Sequence, residues 1–372
     1  MATLGAITRA SSKPIRVVQW GTGNTGAIAL QAILNAPSLE LVGVWAHNPH
    51  LSGEDAGHLA GADGAIGVAI TNDCESVLAT APDCVSYMAT DRGRHDEVVD
   101  DFCMILAAGS NLVTTTNPLL VHPAGDGPDV HRRIEVACLA GGSSFFCTGV
   151  EPGFMADALV LHLTSLSRDI TRIHVQEAMN VGSYRGGRWR SGLGNDVATD
   201  AQRYVPGTIA HNWMGPMTML ADGLGVTLDR VYEKREIASA GYEFTVPAGS
   251  YGPNQAAALH FEVIGEVKGQ PMFIIEHCYR LLDEVAPDWP QPVDPQRRTT
   301  RIRISGRPDI HVDVALGGGD LDATQQGVLA TVMRAVNAIP VVCTAEPGLY
   351  SPLDLPLITG RDTIGNTKTE AR

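Results

Sequence analysis

A short apolar run that leads directly into a glycine turn constrains the fold of this chain more than any other feature. The run Ile15–Trp20 favours a β-strand, the turn is Gly21–Gly26, and helical apolar spacing follows as far as Leu34. A second strand-like run, Leu39–Trp45, completes the pattern. Strand, Gly-x-Gly-x-x-Gly turn, helix and strand within about 30 residues predict the first unit of a doubly wound, parallel Rossmann sheet.

The three glycines of the turn have separate physical tasks. Gly21 permits the tight turn, Gly23 lets the backbone approach a pyrophosphate, and Gly26 lets the helix pack closely on the strand. The helix N-terminus offers unpaired N–H groups and the positive end of its dipole to phosphates. A chain with 40 glycines can contain the motif by chance, but here the flanking elements are in the required order. We therefore expect NAD or NADP to bind at Gly21, Thr22, Gly23, Asn24, Thr25 and Gly26.

The end of the second strand bears on the choice between NAD and NADP. An acidic residue at this point would bind the ribose 2′-hydroxyl of NAD. The chain has Ala46, His47 and Asn48 instead, so it offers neither a carboxylate to repel a 2′-phosphate nor an arginine to hold one. His47 and Asn48 can donate to either ribose, or can simply form the turn before Pro49. The sequence predicts a slight preference for NADP and leaves NAD open.

Strands and helices continue to alternate as far as residue 150. Strands are predicted at 83–90, 111–116 and 144–150, and helices at 96–108 and 130–140. Repeated strand–helix units predict a parallel sheet, whose ligands lie outside the carboxyl ends of the strands. This rule places Ala89, Thr90, Asn117 and Glu151 at one crevice.

The pattern changes after residue 150. A helix at 155–166, a strand at 170–179 and a helix at 208–224 precede strand-like runs at 235–238, 260–267, 272–277, 301–304 and 310–314. A helix at 323–336 follows. This order predicts a second, α+β domain with a mostly antiparallel sheet. We divide the chain into a flexible arm (1–13), an NAD(P)-binding Rossmann domain (14–150), a substrate and dimerisation domain (151–336), and a C-terminal segment packed back on the Rossmann domain (337–372).

Composition argues against several functional classes. A formal net charge of −14 does not supply the basic surface that nucleic-acid or anionic-membrane binding requires. No apolar run approaches the roughly 18 residues of a membrane span, and the first residues are a poor secretory signal. Seven scattered cysteines without a Cys-x-x-Cys pair favour free thiols in the cytoplasm. The twelve histidines show no metal-ligand spacing, so no metal site is predicted.

Two polar residues of the second domain are candidates for the substrate side of the site. Glu177 lies within a predicted strand, where it can face the pocket or pair with Arg172 or Arg185. Tyr184 can donate a hydrogen bond to a ligand or serve a structural role. Neither alternative is decided by the residues alone.

An aromatic and methionine-rich stretch is the second candidate patch. This patch contains His211, Trp213 and Met217. It would line a pocket for a bulky, apolar substrate, although a methionine stripe at helical spacing more often belongs to the core. A basic loop upstream of this stretch contains Arg185, Arg188 and Arg190. We expect these arginines either to be solvated or to bind a carboxylate or phosphate.

Several further stretches, spread over most of the chain, match a known group. They are Val17–Gly26, Gly53–Gly57, Thr148–Asp157, Glu177 with Tyr184, Pro347–Tyr350 and Asp354–Pro356. On these residues the chain resembles the dihydrodipicolinate-reductase-like Rossmann superfamily. Within it, the chain is similar to the branch of bacterial 2,4-diaminopentanoate dehydrogenases and native amine dehydrogenases. The resemblance implies an NAD(P)-dependent oxidoreductase and a homodimer formed through the sheet of the second domain.

The chain departs from this group at two places. The His-His and Lys-x-Asp-Ala-Pro-Ser-Gly-Thr segments of dihydrodipicolinate reductases are absent, so a role in lysine biosynthesis is not expected. The glutamate that amine dehydrogenases carry after the 111–116 strand is replaced by Asn117, which cannot act as a general acid or base. Glu151 is the alternative proton donor, or else an acid that merely favours the start of a helix.

The sequence thus predicts hydride transfer to or from a C=N or C–N carbon of a small, partly apolar substrate. Asn117, Glu151, Glu177 and Tyr184 are its candidate catalytic residues. The alternatives are an NAD(P)H-dependent reductase of a ketone or aldehyde, and an NAD(P)-binding sensor without turnover. The sensor remains an alternative function because position 117 lacks the glutamate.

Overall fold

Seven parallel strands form the first sheet of the computed structural model, which describes residues 13–184, 192–294, 297–318, 321–361 and 363. The strands are β1 (Ile15–Trp20), β2 (Leu39–Trp45), β3 (Ile70–Thr71), β4 (Cys84–Tyr87), β5 (Asn111–Thr114), β6 (Ser144–Cys147) and β15 (Gly348–Tyr350). Their order is β15-β6-β5-β4-β1-β2-β3, and every neighbouring pair is parallel. The predicted Rossmann sheet is confirmed, with β15 added at one edge.

Helices cover both faces of this sheet because successive side chains of its strands point to opposite sides. In β1, Val17 packs towards one layer of helices and Val18 towards the other. The first layer includes α1 and α10, and the second includes α4 and α5. The helices of this half of the fold are α1 (Asn24–Leu34), α2 (Ala56–Ala60), α3 (Cys74–Leu78), α4 (His95–Ala107), α5 (Pro128–Gly141) and α10 (Ala323–Val342).

The last helix differs from its predicted bounds. Sequence patterning ended it at residue 336, but α10 runs through Pro340 to Val342. Ile339 and Val342 are fully buried against the first sheet, so packing favours the helix beyond the proline. The proposed domain boundary at 336 therefore cuts a continuous helix.

A second sheet of six strands follows the Rossmann sheet. Its strands are β7 (Arg168–Asn180), β8 (Arg230–Ser239), β11 (Ala256–Val267), β12 (Gln270–Arg280), β13 (Arg298–Arg307) and β14 (Ile310–Leu316), in the order β14-β13-β7-β12-β11-β8. Only the β7–β12 pair is parallel among these described strands. A mostly antiparallel sheet is thus confirmed. A separate hairpin joins β9 (Phe244–Val246) to β10 (Gly249–Tyr251).

Two predicted helices of the second domain are shorter than expected. Turns occupy 151–157, and α6 (Ala158–Thr164) begins only after them. The predicted helix at 208–224 is divided into α8 (Thr208–Asn212) and α9 (Met214–Gly223), next to Pro216, which has no N–H for a helical bond. A further helix is α7 (Val197–Arg203). No helix within the described ranges is both long and apolar enough to cross a membrane.

The register of the second sheet brings distant residues together. Glu177 of β7 pairs with His277 of β12 on one side and with Thr300 of β13 on the other. Paired residues point to the same face, and so do residues two positions along each strand. Glu177, His277, Tyr279, Arg298 and Thr300 therefore share the inner face of the sheet.

A buried arginine fixes the segment that leads into β13. Arg280, at the end of β12, donates to the carbonyls of Val285 (2.9 Å), Pro290 (2.7 Å) and Ala286 (3.0 Å). Its side chain is fully enclosed. These bonds hold the chain on its way to Arg298, the first residue of β13.

We expect Arg280→Met to lower the free energy of unfolding by about 3 kcal/mol, because one buried and two partly buried carbonyls lose a charged donor. Urea unfolding followed by circular dichroism measures the change. Arg303→Met is the matched control, since Arg303 is exposed on β13 and should change stability by less than about 0.5 kcal/mol. Equal effects of the two substitutions would contradict the role assigned to Arg280.

Candidate active site

The glycine turn is shaped partly by the fold and partly for a ligand. A Cβ on Gly21, whose φ is +96°, would lie 2.7 Å from the Ala89 nitrogen, and one on Gly26 would lie 2.0 Å from the Gly21 oxygen. Both glycines are thus required by packing. A Cβ on Gly23 would meet nothing within 4 Å. Gly23 faces open space at the N-terminus of α1, as a site for a phosphate group requires.

A cleft of about 920 Å³ runs along the carboxyl edge of the first sheet, and we call it the glycine-turn cleft. It contains all but one of the residues that the sequence assigned to the cofactor. Those in the cleft are Gly21, Thr22, Gly23, Asn24, Thr25, His47, Asn48, Ala89, Thr90 and Asn117. Gly26 lies behind it, in the contact between α1 and β1. The geometry fits an extended dinucleotide, and the individual roles remain predictions.

Sequence reasoning missed further residues of this cleft, among them Trp45, Asp91, Arg92 and Arg94. Trp45 lines it and stacks on Trp20 with ring centroids 4.6 Å apart, so it forms a flat apolar wall. Arg92 and Arg94 also line it. The segment 46–50, where the sequence was searched for an arginine that could hold a 2′-phosphate, contains none. The two arginines follow β4 rather than β2, which is why inspection of the second strand did not find them.

A second cavity of about 310 Å³ adjoins the cleft, and we call it the carboxylate cavity. It shares Thr25, Thr115 and Tyr184 with the cleft. Glu151 and Glu177 line it, so three of the four predicted catalytic residues meet here. The fourth, Asn117, lies in the glycine-turn cleft.

Both carboxylates of this cavity are held by Arg298. Its Nη2 lies 3.3 Å from Oε2 of Glu151, and its Nε contacts Oε1 of Glu177. The Thr300 hydroxyl donates to Glu151 Oε2 at 3.4 Å. Two buried acids and one buried guanidinium thus form a compact charged cluster, which requires this mutual compensation.

His277 links the two acids from behind. Its Nδ1 lies 2.8 Å from Glu177 Oε2 and 2.7 Å from the Tyr279 hydroxyl. Its Nε2 lies 3.7 Å from Glu151 Oε1, and these two atoms, both buried, have no hydrogen-bond partner among the described residues. The rings of Trp213 and Phe261 pack against the imidazole at 4.4 and 4.8 Å.

Burial gives the two acids different proton affinities. Desolvation and the negative charge of Glu177 raise the pKa of Glu151 to about 8, against the opposing effect of Arg298. Desolvation also acts on Glu177, but Arg298 and His277 outweigh it and lower the pKa of that carboxyl. The pair therefore shares one negative charge at neutral pH, with the proton on Glu151.

Two alternatives left open by the sequence are decided by these contacts. Glu177 pairs with Arg298 and not with Arg172, because residues five apart in a strand point to opposite faces. Glu151 is not the acid that begins a helix, since α6 starts at Ala158 and is capped by Asp157. Arg185, Arg188 and Arg190 lie outside the described residues, as does most of the predicted arm.

The charged cluster also contains a set of metal-ligand types that sequence spacing did not reveal. Glu151, Glu177 and His277 offer ligand atoms that all lie within 4.8 Å of one another. Arg298 already contacts both carboxylates, so a cation there would face the guanidinium. The sequence does carry a signal for this cluster. Arg298, Thr300, Ile302 and Ile304 occupy every second position of β13, so the arginine points to the same buried face as the two isoleucines.

A third cavity, of about 460 Å³, lies on the other side of Asn117, and we call it the tryptophan cavity. His211 and Trp213 line it together with Leu119, and their contact with a substrate stays a prediction. Met217 does not line it; this residue is fully buried in the core of the second domain. The correction follows from packing, since the inner face of α9 covers the second sheet.

Comparison with known proteins identifies families that match both halves of the chain. A family model for the 2,4-diaminopentanoate dehydrogenase C-terminal domain matches residues 154–369, and one for the dihydrodipicolinate reductase N-terminus matches residues 15–117. The chain is 35% identical to an amine dehydrogenase of Streptomyces virginiae, over 94% of this chain and 98% of that protein. It is 22% identical to a 2,4-diaminopentanoate dehydrogenase of Acetoanaerobium sticklandii, over 92% and 94%.

A solved structure agrees with these matches. The amine dehydrogenase of Mycobacterium smegmatis has a TM-score of 0.75 to this chain at 21% identity, covering 94% of this chain and 98% of that one. At this identity the likeness shows the fold. The matched family model and the Streptomyces relative extend the conclusion, and the chain belongs to the family of amine dehydrogenases and 2,4-diaminopentanoate dehydrogenases, which are NAD(P)-dependent oxidoreductases.

Proposed function

We propose that the protein catalyses hydride transfer between NAD(P) and the C–N carbon of a small, partly apolar amine, in the direction of amine oxidation or of reductive amination. One observation carries this proposal above the others. The glycine-turn cleft shares Thr25, Thr115 and Tyr184 with a cavity lined by the buried Glu151, whose pKa is raised to about 8 by desolvation and the charge of Glu177. A hydride carrier and a proton donor can thus act on one substrate.

The glycine turn and the first turn of α1 would hold the cofactor phosphates through backbone N–H groups. The bound nicotinamide supplies or accepts the hydride. Thr115 and Asn117, which follow β5, lie at the strand end where that ring is expected. Their task is to orient the reacting carbon and to exclude water.

Glu151 would handle the proton that accompanies the hydride. In reductive amination, ammonia and the carbonyl form a carbinolamine, the protonated acid donates to its hydroxyl so that water leaves, and the resulting iminium accepts the hydride. In amine oxidation the carboxylate accepts the proton that the substrate ammonium releases before hydride leaves the carbon. Glu177, kept ionised by Arg298 and His277, raises the proton affinity of Glu151. Tyr184 borders both cavities and is proposed to contact the substrate from the second domain.

The cofactor preference is proposed to lean towards NADP without excluding NAD. No carboxylate faces the cleft from 46–50, and His47 and Asn48 line it. Arg92 and Arg94 add positive charge to the same cleft. Asp91 also lines the cleft, but the two arginines outnumber this carboxylate, so the lining favours a 2′-phosphate.

Two further properties are proposed, the oligomeric state from the family resemblance and the location from the cysteines. We expect a homodimer formed through the open face of the second sheet, and a cytoplasmic location that suits seven free thiols. The alternatives are a ketone or aldehyde reductase and a sensor without turnover. A panel of amines, ketones and aldehydes with both cofactors separates all three.

Gly23→Val should abolish NAD(P)H binding while leaving the fold intact, because its side chain enters open space only the cofactor would fill. Fluorescence titration of NADH and NADPH measures binding, and thermal unfolding reports the fold. Gly64→Val is the matched control, since a Cβ at Gly64 also meets nothing within 4 Å and this residue does not line the cleft. Normal cofactor binding by Gly23→Val would reject the assignment of the cleft.

His47→Asp should weaken NADPH binding more than NADH binding, because the new carboxylate repels a 2′-phosphate. The ratio of the two dissociation constants is the measurement. His50→Asp provides the control, as His50 is exposed and is not part of the cleft lining. If His47→Asp changes both constants equally, His47 does not lie beside the ribose.

Glu151→Gln should lower kcat by about 10²–10⁴ and leave NAD(P)H affinity unchanged, because the amide cannot exchange the proton. In the unmodified enzyme, reductive amination should slow as pH rises through about 8, where Glu151 ionises, and amine oxidation should accelerate. The pH dependence of both reaction directions should be absent in Glu151→Gln.

A stability measurement tests the same carboxyl without turnover. The pKa of Glu151 is raised in the folded chain. Its contribution to the free energy of unfolding is therefore complete below a pH of about 4.5 and is lost as pH rises through about 8. Glu151→Gln should remove this loss, and the exposed Glu243→Gln should not. A substrate turned over equally well by Glu151→Gln would overturn the catalytic assignment.

A further inference from the structure

Asn117 is joined to two residues that the site described above does not use. Its Nδ2 donates to Oδ2 of Asp126 at 2.6 Å. The same oxygen lies 2.9 Å from Nε2 of His95, the first residue of α4. Asn117 and His95 both line the tryptophan cavity, and Asn117 also lines the glycine-turn cleft.

The loop that carries Asp126 is built to approach Asn117 closely. A Cβ on Gly125 would lie 2.0 Å from the Leu119 oxygen and 2.8 Å from the Gly215 Cα, so only glycine fits there. The Asp126 side chain is 6% exposed. It is therefore enclosed, with its carboxylate directed at the asparagine and the histidine.

The chemistry of these groups fixes the orientation of the amide. The Asp126 carboxylate oxygen accepts from Nδ2 of Asn117 and lies beside Nε2 of His95, and a carboxylate only accepts hydrogen bonds. Asp126 must therefore face the NH₂ group of Asn117, and this leaves Oδ1 as the Asn117 atom that can meet a ligand. Partial burial lowers the pKa of His95, but its bonds to Asp126 and Asp96 raise it above its usual value.

The backbone at position 117 suits asparagine for a reason of its own. Its φ is +59°, in the left-handed region that asparagine tolerates better than longer side chains do. The residue that replaces the family glutamate is thus compatible with its local conformation, and it presents a neutral acceptor where a carboxylate was expected.

We propose that Asn117 binds the nitrogen of the substrate through its amide oxygen, with Asp126 and His95 as the positioning residues that hold this amide in place. The ligand class is an amine or iminium whose hydrocarbon group packs against Trp213 and Leu119 of the tryptophan cavity. An N–H group is what an amide oxygen recognises, and a carboxylate behind the amide strengthens that oxygen as an acceptor. This inference rests on the proposed function and names how its substrate is held.

The test compares an amine with its ketone, because an acceptor binds N–H and does not bind a carbonyl oxygen. The probes are cyclohexylamine and cyclohexanone, titrated by calorimetry into the full chain saturated with NADP⁺ or NAD⁺. Asp126→Leu should weaken cyclohexylamine binding about 10- to 100-fold, since the amide is released. Cyclohexanone and cofactor affinities should change less than about twofold, which a general structural defect would not allow.

Conservative and control variants sharpen this comparison. Asp126→Asn should retain most of the amine affinity, because its amide oxygen can still accept from Asn117. Asp96→Asn should have no effect, as Asp96 is almost fully exposed and contacts only the other nitrogen of His95. If Asp126→Leu does not fold, His95→Leu tests the same chain of hydrogen bonds from its outer end.

Each outcome decides between the inference and the function on which it rests. An unmodified protein that binds no NAD(P)H and oxidises no amine counts against the proposed function. An unmodified protein that binds NAD(P)H but not cyclohexylamine overturns the inference alone. So does an Asp126→Leu variant that loses amine and ketone equally, or loses neither.

Discussion

The candidate site depends on the burial of one guanidinium between two acids. Glu151 and Glu177 come from different parts of the chain, and neither has appreciable contact with solvent. Placing two carboxylates in such a position is costly unless a cation compensates them, and Arg298 supplies that charge. The strand register that pairs Glu177 with His277 and Thr300, and the bonds of Arg280 that guide the chain into β13, both serve this arrangement.

The cofactor half of the molecule could be predicted from sequence because its determinants are contiguous. Gly21 and Gly26 are imposed by contacts within a single strand–turn–helix unit, and Gly23 is left free for a ligand by the same unit. The parallel sheet follows from repeated strand–helix alternation. Trp45, at the end of β2, and residues that follow another strand, such as Arg92 and Arg94, escaped this local reasoning.

The catalytic half could be predicted only in part, because its geometry depends on long-range register. Glu177 was recognised, but its partner was sought close in sequence, at Arg172 or Arg185, and Arg172 lies on the opposite face of the strand. Arg298 and His277 are at least 100 residues from Glu177 and Glu151 along the chain. Met217 was misplaced for a different reason: a buried helix face and a pocket wall have the same apolar composition.

The final helix gives the two sheets a mechanical connection. The C-terminal half of α10 is packed against the first sheet, whereas its first turns border the carboxylate cavity, where a Cβ on Gly327 would lie 3.0 Å from Arg298. One continuous helix therefore contacts the first sheet at one end and Arg298 of the second sheet at the other. The width of the carboxylate cavity consequently depends on how the two sheets are positioned relative to each other, because α10 forms part of its wall.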